Sequence, residues 1–286
     1  MRWRAICFLV VLVTGLLLNP WAARAEDAED KDKAEASDVS VEDSDVSFDY
    51  SPFARVLDNY VTERGFVQYA RLQADRGDLD AFMEQLAQVS PENSPEIFPE
   101  RQDQLAYWIN AYNAIVMKGI LDHYPVESLS EISFMYGFFW KLKFPVGGRE
   151  YTLNDIEHGI LRPRFQEPRI HFAINCASDA CPKLTREPFL PEKLDEQLDQ
   201  AARFFIGESR NVRPEPESNR LYLSMIFNWF LDDFRNYARE NLGKQYPSVL
   251  DYILLHASPE LKHYIESSKP KIRYIPYDWS LNDAGK

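Results

Sequence analysis

The chain has 286 residues, 45 acidic against 32 basic side chains for a formal charge of −13, and 45% hydrophobic side chains. An acidic chain repels nucleic acid and anionic membrane surfaces, so neither is an expected partner. The apolar content is ample for a large core.

The chain opens MRWRAICFLVVLVTGLLLNPWAARA, with Arg2 and Arg4 ahead of an apolar run from Ile6 to Leu18, then Pro20 and the small-x-small triplet Ala23-Arg24-Ala25. That is the plan of a secretory signal peptide over residues 1–25. The run is too short to span a bilayer comfortably. The expected product is exported, periplasmic or secreted, with no membrane insertion after cleavage. Residues 26–49 form an acidic leader. From Glu26 to Tyr50 there are eleven acids against Lys31 and Lys33 and almost no large apolar side chain before Phe48. Such a stretch buries too little surface to offset its ordering entropy, which predicts disorder. Residues 50–286 then read as one globular domain.

Within the body, apolar spacing predicts helices over 51–63 and 75–89, with a short strand in GFVQYARL between them. SPENSPEIFPE is a Pro-rich connector. The strongest helical pattern is residues 101–125, where Leu105, Trp108, Ile109, Tyr112, Ile115, Val116, Gly119 and Ile120 form a broad apolar stripe closed by Pro125. FPVGGREYTL predicts a hairpin at Gly147-Gly148, and Thr152-Leu-Asn-Asp155 a capping-box start for LNDIEHGIL. RIHFAIN alternates as a half-buried strand. EKLDEQLDQAARFFIG predicts a helix, VRPEPESNRLYLS a strand–turn–strand, and 226–241, 247–256 and 259–267 three further helices. IRYIPYDWSLN starts as a strand. Without a regular strand–helix alternation, the expected class is α+β, mostly helices on a small, mainly antiparallel sheet.

Several positions bear chemistry. Asn113 lies about 40° from Ile109 and about 60° from Val116 on a helix, inside the apolar stripe, and Asn110 is on its flank. Buried amides need partners, so these two either tie the helix to nearby backbone or line a cleft and position substrate. If RIHFAIN is a strand, His171 shares a face with Ala173 and Asn175. Five extended residues then put His171 and Cys176 about 16 Å apart, so a dyad requires a sharp reversal. His158 is another candidate base, and Glu157 is a helix-dipole carboxylate or an acid/base group. Cys7 falls in the signal, leaving Cys176 and Cys181 in the body. In an exported protein these two favour pairing, and so short a loop makes a weak staple. The spacing of His171, Cys176 and Cys181 matches no paired metal motif, so no metal and no cofactor is expected. Asp232-Asp233 read as surface, Asp278 as a turn or cap residue, and Trp229 and Trp279 as core.

YWINAYNAIVMKGIL, LNDIEHGIL, RIHFAINCASDACPKL, SMIFNWFLDDF and IPYDWSLN, in this order, resemble the domain-of-unknown-function 547 family, as a secreted bacterial-type member. The resemblance spans about residues 50–282 and implies Asn110, Asn113, Glu157, His171 and Cys176 as the matching polar positions. It also implies that the cysteine at position 176 matters more than that at 181. Fusion of some relatives to glutaredoxin-like domains implies thiol chemistry, and the layout is similar by analogy to papain- or transglutaminase-like folds. Two functions follow. One is a thiol-dependent hydrolase or transferase, with Cys176 as nucleophile, His171 or His158 as base, Glu157 as orienter and an unknown small molecule or peptide as substrate. The other is a non-catalytic ligand-binding or scaffold module of the cell envelope, with Cys176 and Cys181 as thiols or a disulfide.

Overall fold

The computed structural model describes residues 47–133 and 137–285. The expected signal peptide, and the leader up to residue 46, lie outside the described residues. Ordered packing starts before residue 50. Phe48 meets Tyr50, Phe82, Phe98 and Tyr107 at ring-centroid distances of 5.0, 5.9, 5.6 and 5.1 Å.

The first half is helical: α1 Ser51–Tyr60, α2 Tyr69–Ala74, α3 Gly77–Gln88 and α4 Arg101–Leu121. Helix α4 opens with a reciprocal cap between Glu100 and Asp103. Every residue from Leu105 to Met117 is buried, so α4 is a central core helix and not a surface helix with one stripe. A helix that is covered all round must give each polar side chain an internal partner. Short helices α5 (Leu129–Ile132) and α6 (Gly137–Lys141) lead to a hairpin of β1 (Phe144–Val146) and β2 (Arg149–Tyr151), paired Val146 to Arg149. The turn falls at Gly147-Gly148 as expected. Gly147 has φ +55°, and an added Cβ would lie 2.0 Å from Ser90 Oγ, so only glycine fits.

The Thr152–Asp155 cap also forms: the Thr152 amide donates to Asp155 Oδ2 and the Asp155 amide to Thr152 Oγ1. It starts a π-helical segment, Asp155–Leu161, that runs into α7 (Arg162–Phe165). The second half comprises α8 (Leu194–Gly207), β3 (Val212–Glu215), β4 (Arg220–Ser224), α9 (Ile226–Trp229), α10 (Leu231–Asn241), α11 (Val249–His256), α12 (Pro259–Ser268) and β5 (Lys271–Ile275). β3 and β4 are antiparallel, whereas β4 and β5 are parallel, joined through the intervening helices. The fold is α+β with two small sheets, one of them mixed.

Three expectations change. GFVQYARL is not a strand: Val67 makes only single bridges, to Val61 and Asp283, and from Tyr69 the chain is already helix α2. RIHFAIN is not a strand: Pro168–Phe172 is a 3₁₀ turn, and Ala173 and Ile174 amides both return to the Ile170 carbonyl. The segment is wedged between two apolar clusters. Ile170, Ala173 and Ile174 belong to one, built mainly on residues 50–198, and Phe172 to the other, built mainly on 202–265. With Ile170 through Asn175 all buried, the alternation does not mark an exposed face. The helix expected over 226–241 breaks at Phe230 (φ −108°, ψ 26°), between α9 and α10.

Candidate functional site

At the seam of the two clusters lies a cavity of about 350 Å³. The π-helical segment supplies Glu157 and His158, α7 supplies Arg162, the 3₁₀ turn His171, and the following loop Cys176 and Cys181. Its apolar walls include Trp140 beside the hairpin, Trp229 at the end of α9, and Tyr277 and Trp279 from the C-terminal segment. Four sequence-predicted candidates, Glu157, His158, His171 and Cys176, thus meet at one opening.

Asn110 and Asn113 stand elsewhere. Asn110 donates to the Phe189 carbonyl and accepts from the Phe189 amide at 2.7 and 3.0 Å. Asn113 donates to the Ala173 carbonyl at 3.0 Å and accepts from the Asn175 amide at 2.8 Å. Both carboxamides therefore pair with buried backbone that has no sheet partner, and neither lines the cavity. Asn113 fixes the chain immediately between His171 and Cys176, which is how helix α4 reaches the site.

His171 is fully buried, stacked on Phe230 at 3.8 Å, with Nε2 2.8 Å from Asp233 Oδ2. Asp233 also accepts two bonds from Arg162, at 2.7 and 2.9 Å. Burial raises the Asp233 carboxyl, but His171 and Arg162 outweigh it and hold the group well below the usual carboxylate range. Burial pushes His171 down, against the pull of Asp233. A neutral ring that donates from Nε2 to a carboxylate leaves Nδ1 as an acceptor, and that buried atom has no hydrogen-bond partner. His158 Nδ1 lies 2.6 Å from the Arg162 guanidinium. Arginine only donates, so His158 is neutral with its proton on Nε2, 3.9 Å from Glu157 Oε1. Burial, then Arg162, lowers its pKa.

Glu157 has a side chain only 12% exposed. Burial pushes its carboxyl up to about 7, against the Tyr112 hydroxyl, which donates to Oε2 at 3.2 Å, and against Arg162. A carboxyl near neutrality can hold or release a proton at physiological pH.

Cys176 and Cys181 are joined by a disulfide, with Cα atoms 6.1 Å apart. The loop between them is fixed independently of that bond. Asn175 Oδ1 accepts from the Ala177 amide, which lets Ala177 take φ +62°, and from Asn282 Nδ2, while Asn175 Nδ2 donates to the Pro182 carbonyl. The Asp179 and Ala180 amides donate to Ser280 and Asp278 carbonyls, and the Asn282 amide to Ala177. Arg210 Nη1 donates to the Asp179 carbonyl at 2.7 Å. The polar neighbours of Cys176 Sγ are hydroxyls, Ser178 at 3.1 Å and Tyr277 at 3.2 Å; neither imidazole is within hydrogen-bond reach of it. Among the described residues, no three His, Cys, Asp or Glu side chains converge to hold a metal ion, and no helix is long and apolar enough to cross a membrane.

The central segment of this arrangement, from the connector before α4 to the last turns of α8, also matches a known sequence pattern. Residues 98–206 match the family described as Protein of unknown function, DUF547. The match supports that family for the segment bearing Asn110, Asn113, Glu157, His158, His171 and both cysteines. The parts of the cavity supplied by Trp229, Tyr277 and Trp279, and the Asp233 carboxylate behind His171, fall outside the DUF547 match. No curated protein and no solved structure matches the chain.

Sequence reasoning missed three features of the site. Asp233, read as surface, is the carboxylate that orients His171. Neighbours on a helix point about 100° apart, so Asp233 turns inward while Asp232 stays exposed. Trp229 and Trp279, read as core, are cavity walls, with Trp229 43% exposed. Tyr277 carried no local signal; its meaning comes from contacts with residues about a hundred positions earlier. Asp278 does act as a turn residue, accepting from the Ser280 amide and hydroxyl.

Proposed function

We propose that the cavity is a thiol-dependent catalytic site for hydrolysis or group transfer, with Cys176 as nucleophile once its bond to Cys181 is opened. The observation that carries this reading is the convergence of Cys176, an oriented neutral imidazole and a carboxyl poised near pH 7 in one aromatic-lined cavity. In this reading His171, oriented by Asp233, takes the thiol proton at Nδ1 through a bridging water, because the imidazole is out of direct hydrogen-bond reach of the sulfur. Glu157 exchanges protons with the leaving group, and the indole and phenol walls hold the apolar body of a small molecule or peptide. Asn113 acts as a positioning residue, holding the backbone between base and nucleophile. The disulfide fits an oxidising compartment, which supports the expectation of an exported protein, periplasmic or secreted.

The test is alkylation of the reduced, folded chain by iodoacetamide between pH 5 and 9. A thiol paired with a base reacts with an inflection well below the ordinary thiol value of about 8.5. Fast alkylation at pH 6, lost in Cys176→Ser and slowed in His171→Gln, is the expected result; an inflection near the ordinary value in the wild type removes the catalytic reading.

A second reading has an observation of its own. The Cys176 sulfur is bonded to Cys181, and the walls are largely aromatic, which suits a ligand-binding module of the cell envelope. In that case the oxidised chain binds an apolar ligand in the cavity and reduction does not alter its affinity.

A further inference from the structure

The surroundings of the disulfide are not symmetric. Cys181 is 3% exposed, and its sulfur faces three donors: the backbone amide of Cys176 at 2.9 Å, the Ser178 hydroxyl at 3.3 Å and the Tyr277 hydroxyl at 3.3 Å. Cys176 is half-buried, and its sulfur shares the two hydroxyls but has no backbone amide directed at it. Each hydroxyl carries one proton and can turn to either sulfur. The amide cannot turn, because the loop that holds it is fixed by Asn113, Asn175 and the C-terminal segment.

A disulfide sulfur is a poor acceptor, whereas a thiolate is a strong one, so the fixed amide gains most when negative charge appears on Cys181, where the shared hydroxyls can join it. We infer that the pair undergoes directional thiol–disulfide exchange with a low-molecular-weight thiol entering through the aromatic cavity. The thiolate attacks Cys176 Sγ, and the Sγ–Sγ bond breaks with its electron pair going to Cys181. The products are a mixed disulfide on Cys176 and a Cys181 thiolate held by the amide and both hydroxyls. Attack of a second thiolate on the thiol-derived sulfur releases the symmetrical disulfide and leaves Cys176 free. Two thiols then lose two electrons to the cysteine pair, and the protons they gave to water are available to it.

The bond has the character of a switch more than of a staple. The loop keeps its shape through hydrogen bonds outside the disulfide, and a bridge across five residues restricts the unfolded chain little. Exchange thus converts a latent Cys176 into a free thiol within an intact cavity. This inference extends the catalytic reading by naming what unlocks it, but the exchange step itself does not depend on later chemistry at Cys176.

The test uses the oxidised full chain with 2-mercaptoethanol, quenched by acid at short times. Free thiols are then blocked with N-ethylmaleimide and both positions located by peptide fragmentation. The adduct is expected on Cys176 and the maleimide on Cys181, by about tenfold over the reverse arrangement. Ser178→Ala and Tyr277→Phe are each expected to slow adduct formation by roughly three- to tenfold, through loss of a donor to the leaving thiolate. Their circular dichroism checks that they fold, and the wild-type map decides the direction without them. An adduct mainly on Cys181, an even mixture, or a chain whose thiols stay free after treatment with oxidised dithiothreitol overturns the inference. Exchange at Cys176 together with an ordinary alkylation inflection overturns the catalytic reading alone. A low inflection with adduct on Cys181 overturns the directionality alone.

Discussion

Glu157→Gln isolates the cost of placing a carboxylate in the cavity wall. Burial moves the carboxyl from its ordinary 4.5 to about 7 in the fold. Below pH 4.5 it is protonated in both folded and unfolded chains and carries no penalty. Between 4.5 and about 7 the unfolded chain gives up its proton freely while the fold retains it, so stability is lost steadily as pH rises. Above about 7 both states are ionised and the loss is complete, at about 3 kcal/mol. Glutamine cannot ionise and still offers a side-chain oxygen to the Tyr112 hydroxyl that now donates to Glu157. Glu157→Gln should therefore match the wild type near pH 4.5 and exceed its stability by about 3 kcal/mol at pH 8. Urea unfolding of both chains at half-unit steps from pH 4.5 to 8 measures the difference, and other titrating groups largely cancel in the subtraction. A difference that stays flat with pH would refute the reasoning, because it would mean the carboxyl ionises as it does in water.

Three further outcomes are expected. Asn113→Ala leaves the Ala173 carbonyl and the Asn175 amide without their partner, so thermal or denaturant unfolding should show a loss of about 2–4 kcal/mol, while Asn113→Asp should not restore both bonds. Reduction of Cys176–Cys181 should lower stability by no more than about 2 kcal/mol, since only a short loop is released; calorimetry with and without reductant measures this, and loss of cooperative folding would contradict the loop description. Trp229 is 43% exposed, yet it packs on Tyr277 at 4.7 Å and Trp279 at 5.7 Å along the cavity. Trp229→Ala should weaken binding of an apolar dye such as anilinonaphthalene sulfonate several-fold while shifting the melting temperature little, and an unchanged dye titration would place ligand binding elsewhere.

Much of the local structure was legible in the residues themselves. The glycine pair at 147–148 dictates its hairpin because a left-handed turn excludes side chains, and Thr152 with Asp155 announces a helix start through mutual capping. The amphipathic helix ending near Gly207 and the strand–turn–strand at 212–224 follow from periodicity alone. The π-helical character of DIEHGIL was not legible, because 7 residues are too few to separate its wider period from that of an α-helix. RIHFAIN was misread for a related reason: alternation reports two faces, and this segment has apolar neighbours on both.

The candidate site divides along the same line. Composition and spacing brought Glu157, His158, His171 and Cys176 to notice, because an imidazole, a thiol or a carboxyl beside apolar residues carries chemistry wherever it lies. The roles were set by contacts across long stretches of chain. Asp233 became the partner of His171 over 62 residues, and Tyr277 the neighbour of Cys176 over 101. The sequence determined which groups are available and which short segments turn, since those depend on backbone sterics and neighbouring side chains. Only the tertiary structure decided which groups meet, because burial and electrostatic pairing depend on distances that the local pattern does not encode.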